Sequence, residues 1–98
     1  MLIRIVKMGF EEPFIPQFLK NFDQNKEKIR QFPGCLHLEL YRDRDQSNVF
    51  FTYSYWDQPE SLEKYRQSDV FQGIWKETKK GFCEKPQAWS VDRIQSLP

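Results

Sequence analysis

The chain is poor in the residues that several common chemistries require. Two cysteines, Cys35 and Cys83, appear in 98 residues, too few for a disulfide framework in a sequence without an export signal, so reduced thiols serving as small core residues are expected. One histidine, His37, and no clustered Cys or Asp cannot supply the three or four ligands of a zinc or non-haem iron site, and no metal or other cofactor is expected. The four glycines, Gly9, Gly34, Gly73 and Gly81, are dispersed, and none sits in a strand-to-helix phosphate loop. Charge of one sign is also lacking. Fifteen Lys and Arg against fourteen Asp and Glu give a net charge of +1, and their interspersion offers neither a basic stripe for nucleic acid nor an acidic disordered tail. Lys76, Lys79, Lys80 and Lys85 read as a solvated face. There is no long apolar run. The opening MLIRIVKMGFEEPF is interrupted by Arg4 and Lys7, which suits neither a signal peptide nor a membrane span, so a cytoplasmic protein without membrane contact is expected.

Aromatic residues, by contrast, are abundant. Nine Phe, four Tyr and three Trp make up 16% of the chain, while a domain of this length hides only about 60% of its unfolded surface. Some rings should therefore line a pocket or an interface, and a partner subunit would help a marginal core.

Residues 2–10 alternate loosely, with Ile3 and Ile5 set against Arg4, as in a first strand. Pro13 opens a helix to about Gln31, whose apolar positions Phe14, Phe18, Leu19, Phe22 and Ile29 recur near helical spacing. Phe32-Pro33-Gly34 ends it. In CLHLELYR, Leu36, Leu38 and Leu40 alternate with Cys35, His37, Glu39 and Tyr41, predicting a second strand. The turn DRDQSN and the aromatic run VFFTYSYW complete a hairpin. If Leu38 sits across from Tyr53, one face collects the leucines with Phe51, Tyr53 and Tyr55, and the other collects His37, Glu39, Thr52 and Ser54; a slip of one residue mixes these sets. After Trp56, Pro59 starts a short helix to about Gln67, and Ser68 or Asp69 caps another carrying Phe71, Ile74 and Trp75, ended by Lys79-Lys80-Gly81. Residues 86–94 alternate as a last strand.

The order βαββαβ predicts an α+β, ferredoxin-like single domain over residues 1–98, with a four-stranded antiparallel sheet covered by helices on one face only. An uncovered sheet rich in rings asks for a second sheet.

The PGC turn into the second strand, the aromatic strand ending in Trp56 and the segments PESLEKYRQSDVF, WKETKKGF and KPQAWSVDRI resemble the antibiotic biosynthesis monooxygenase (ABM) family over nearly the whole chain. That resemblance implies a homodimer in which two sheets face each other as a dimeric α+β barrel. It also implies oxidation of a small phenolic or quinol-like aromatic without metal or flavin. Such chemistry needs little: an electron-rich phenolate can itself reduce dioxygen once a pocket binds, deprotonates and desolvates it. The chain departs from the family at Ser54, where relatives often carry Glu, and at Tyr65, where many carry His. Against the haem-degrading branch, Trp75 replaces the iron-binding His and Tyr65 replaces the Trp that presses on the haem, so haem ligation in that style is not expected.

Candidate site residues follow. His37 is the default general base, its alternative being a cross-strand hydrogen-bonding role facing Glu39 or Ser54, or a place at the dimer seam. Tyr65 is a candidate hydrogen-bond donor to substrate, although a phenol is a poor base near neutrality. Trp56, Phe71 and Trp75, with Thr52 and Ser54, are candidate walls of a substrate pocket, with core packing as the alternative. Two functions fit these residues: a cofactor-independent monooxygenase, and a non-catalytic dimeric binding module for a small apolar or aromatic ligand. A purely structural dimerisation domain is a third, excluded only by a real cavity.

Overall fold

A computed structural model describes residues 1–98. Strand β1 (Leu2–Gly9) is followed by a 3-10 turn (Glu12–Phe14) and helix α1 (Ile15–Arg30); β2 (Cys35–Arg42) and β3 (Val49–Trp56) form a hairpin; helices α2 (Pro59–Arg66) and α3 (Asp69–Thr78) precede a second 3-10 turn (Lys79–Gly81) and β4 (Gln87–Asp92). The sheet is antiparallel with order β2-β3-β1-β4, so the fold is the expected ferredoxin-like one, with the second crossover split into two helices. No helix is long and apolar enough to cross a membrane.

Local chemistry places the breaks. Gly34 adopts φ of 93°, a backbone region open to glycine at little cost, and this turns the chain from α1 into β2. Ser68 accepts a hydrogen bond from the Phe71 amide at 3.1 Å and donates to the Tyr65 carbonyl at 2.6 Å. One hydroxyl thus caps α3 and holds the end of α2 against it.

The helices cover one face of the sheet, over two apolar clusters. Met8, Phe10, Ile15, Phe18 and Phe50 form one, and Ile29, Cys35, Trp56, Leu62 and Tyr65 form the other. The Phe10 and Phe18 rings stack at 4.3 Å, and Trp56 is 1% exposed.

The hairpin register departs from the expected one by a single residue. Leu38 pairs with Ser54 and Leu40 with Thr52, whereas His37 pairs with Tyr55 and Glu39 with Tyr53. The helix-covered face of the hairpin therefore carries Leu38, Leu40, Thr52, Ser54 and Trp56, and the open face carries His37, Glu39, Tyr41, Phe51, Tyr53 and Tyr55. The cause is a bulge between Cys35 and His37. Leu36 is the extra residue, so Cys35 drops into the core while Leu36 stands 48% exposed. Cys83, expected in the core, is exposed, and Leu19, expected on the inner stripe of α1, faces solvent.

Candidate functional site

Between the sheet and the helices lies a cavity of about 350 Å³. Its lining draws on both apolar clusters, so the gap separates two well-packed regions rather than extending one. β3 contributes Thr52, Ser54 and Trp56; α2 contributes Tyr65; α3 contributes Phe71 and Trp75. Six of the seven expected site residues are thus brought together, on three elements.

Their arrangement is a continuous aromatic wall. Trp56 and Tyr65 lie 5.1 Å apart, Tyr65 meets Phe71 edge-on at 5.2 Å, and Phe71 stacks on Trp75 at 5.7 Å with 15° between planes. Such near-parallel and edge-on pairs are favourable beyond their buried area. The wall has polar points. Trp56 donates its indole N–H to the Ser54 hydroxyl at 3.0 Å, in a buried pair. Tyr65 is buried, and loss of solvent, followed by the nearby Cys35, pushes its phenol well above the ordinary tyrosine value. It is a neutral donor across the physiological range and not a base.

His37, the expected base, is not among these residues. Its imidazole stands on the open face, 4.9 Å from the Tyr55 ring and 3.2 Å (Nε2) from Glu39 Oε1. The bulge before it sets this orientation, because alternation counted from Cys35 without the extra residue points it the wrong way. No imidazole and no carboxylate lines the cavity, and nowhere do three or more His, Cys, Asp or Glu side chains gather closely enough to hold a metal ion.

The charged lining residues, Arg4 of β1 and Arg66 of α2, escaped the sequence reading. The alternation set Arg4 against Ile3 and Ile5 without assigning it to the cavity side. In fact Leu2, Arg4, Val6 and Met8 take the helix side, and the isoleucines take the open side beside Tyr53 and Tyr55. The Arg4 guanidinium donates to Ser90 Oγ at 3.0 Å. Its pKa lies below the ordinary value, first because it loses solvent and next because Arg66 is near, with Glu63 acting in the opposite direction. Arg66 pairs with Glu63 at 3.1 Å.

The open face is a second aromatic surface. Tyr53 meets Tyr41 at 6.1 Å and Tyr55 at 5.4 Å, both edge-on. On β4, across β1 from those tyrosines, Trp89 and Val91 stand 43% and 41% exposed, more apolar surface than solvent normally faces across a sheet.

The family model for antibiotic biosynthesis monooxygenase matches residues 1–77, a span holding β1 to β3 and nearly all of both later helices. No curated protein matches the sequence. Among solved structures, an antibiotic biosynthesis monooxygenase is 20% identical with a TM-score of 0.90, over 97% of this chain and 100% of that one. A conserved protein from Methanosarcina mazei Go1 is 17% identical with a TM-score of 0.87, over 93% and 91%. Rv0793 from Mycobacterium tuberculosis is 11% identical with a TM-score of 0.88, over 99% and 98%. At these identities the structures establish the shared fold, and the sequence match establishes the lineage: the chain belongs to the antibiotic biosynthesis monooxygenase family.

Proposed function

We propose that the protein is a cofactor-independent monooxygenase that oxidises a small aromatic or quinol-like substrate with dioxygen in the helix-side cavity. The observation that carries this reading is a cavity of about 350 Å³ walled by Trp56, Tyr65, Phe71 and Trp75, a size and lining suited to one flat aromatic molecule. The substrate ring stacks along that wall, and the Tyr65 hydroxyl donates to a substrate oxygen. The bound phenolate passes one electron to dioxygen, giving a phenoxyl radical and superoxide. These combine through a new C–O bond to a peroxide anion, which takes a proton from solvent; loss of the hydrogen on that ring carbon with cleavage of the O–O bond then releases water and leaves one oxygen atom in the product as a carbonyl. His37 takes no part. Its place is the seam of a homodimer formed through the open sheet faces, where it pairs with Glu39.

A second reading is favoured by one feature. The cavity contains no group that titrates as a base, which suits a dimeric binding module for an aromatic ligand in which no bond changes. Oxygen uptake separates the two. With a panel of hydroquinones and polyphenols, the enzyme reading expects protein-dependent uptake that falls at least about tenfold when Ala88→Trp fills the cavity from β4, an exposed lining position. Absence of uptake across the panel, with calorimetric binding retained, would leave the binding module.

A further inference from the structure

Arg4 and Arg66 are the only charged side chains lining the cavity, and every other lining group is neutral. Only one of the two has a contacting counter-ion. Arg66, on the rim, has Glu63 as its partner at 3.1 Å. Arg4 is half-buried, hydrogen-bonds only to the neutral Ser90 hydroxyl, and has no carboxylate within 4.0 Å, Glu63 acting on it only from farther away. A cation held partly out of water beside an apolar wall, with no contacting counter-ion, is stabilised when a ligand supplies the anion. The surrounding sheet does not, because β1 places Arg4 between Ser54 of β3 and Ser90 of β4.

We infer that the cavity takes an anionic aromatic ligand, an aromatic acid whose ionised oxygen sits on the Arg4 guanidinium while its ring lies along the Trp75–Phe71 wall. This rests on the reading of the cavity as an aromatic site and names the class of compound that fills it. Several features fit together. A planar guanidinium can offer two N–H groups to an oxyanion. Tyr65, held protonated by burial, offers a further donor and does not compete as an anion. The Arg66 charge near Arg4, which lowers the Arg4 pKa, becomes favourable as soon as an anion lies between them. The same field answers the missing base. Two cations around a bound phenol lower its pKa, so the proton can leave to solvent and the electron-rich phenolate forms without an imidazole or carboxylate in the cavity.

The test compares two probes of nearly equal shape, naphthoic acid, ionised at neutral pH, and its neutral amide, by calorimetric titration of the intact protein at low salt. The acid is expected to bind about tenfold more tightly or better. Arg4→Gln should bring the two to parity by weakening the acid alone, and Arg4→Lys should restore part of the preference. Arg66→Gln, a change at an exposed position that disturbs no core contact, should reduce the preference severalfold, and thermal unfolding of each variant checks that it remains folded. Equal binding of acid and amide to the wild-type protein overturns the anionic assignment while leaving an aromatic pocket. Binding of neither overturns the pocket reading together with the assignment.

Discussion

The two faces of one four-stranded sheet are both rich in rings, yet they are built for different things. On the helix side, aromatic side chains from β3, α2 and α3 surround a gap, with hydroxyls and guanidinium groups set among them. On the open side, Tyr41, Tyr53, Tyr55, Phe51 and Trp89 spread across a surface with no gap, and His37 Nε2 meets Glu39 Oε1 at 3.2 Å among them. A cavity persists when the surrounding elements are too well packed to collapse into it. An uncovered apolar face persists only when another surface covers it. The proposed function puts chemistry on the first face and assembly on the second.

Substitutions on each face test that contrast. The largest stability effect is expected on the helix side at Trp56, almost fully buried between β3 and α2: Trp56→Ala should cost about 3–5 kcal/mol in urea unfolding, and a loss below about 1 kcal/mol would mean that the wall is not packed as described. On the open side, Tyr53→Glu should leave the fold intact by circular dichroism and raise the dimer dissociation constant about a hundredfold or more in sedimentation, since an unpaired charge in an apolar seam costs several kcal/mol. An unchanged dimer would remove assembly from this face.

A smaller effect is expected at Ser54. Ser54→Ala leaves the buried Trp56 indole N–H without its acceptor and should cost about 1–2 kcal/mol, with the cavity otherwise preserved. The smallest at neutral pH is Tyr65→Phe, because the hydroxyl's pKa is shifted by burial and not by a hydrogen bond within the chain. Its signature is in alkali. The folded-state pKa of Tyr65 lies above the unfolded value near 10, so its contribution is fully present below about pH 10 and is lost as pH rises towards the folded value. Wild-type stability should fall above about pH 10 more steeply than that of Tyr65→Phe. Equal slopes would mean that the phenol is not desolvated.

Much of the fold was legible because periodicity and punctuation agree. Pro59, Ser68 and Gly34 mark helix starts and a turn by backbone chemistry that tertiary packing does not override, and the elements fall within a few residues of where those signals put them. The faces were harder to read, for a physical reason. Alternation identifies which residues share a face only when one face is polar, and here both are apolar: Ile3 and Ile5 point away from the helices and Arg4 points under them. One bulge at Leu36 then shifts the hairpin pairing, so that Leu38 and not His37 lies beside Ser54. The ring residues of the cavity were legible because aromatic walls come from dense aromatic segments. Arg4 was not, since a single cation in an amphipathic strand looks the same whether it meets solvent or a cavity.

The most direct test of the division between the faces is oxygen uptake on the hydroquinone panel by two variants measured beside the wild type, Ala88→Trp to fill the cavity and His37→Ala to remove the one histidine. The expected result is loss of at least about tenfold in the first and wild-type uptake in the second. Uptake abolished by His37→Ala in a protein still folded and dimeric, and untouched by Ala88→Trp, would place the chemistry on the open face and contradict the assignment.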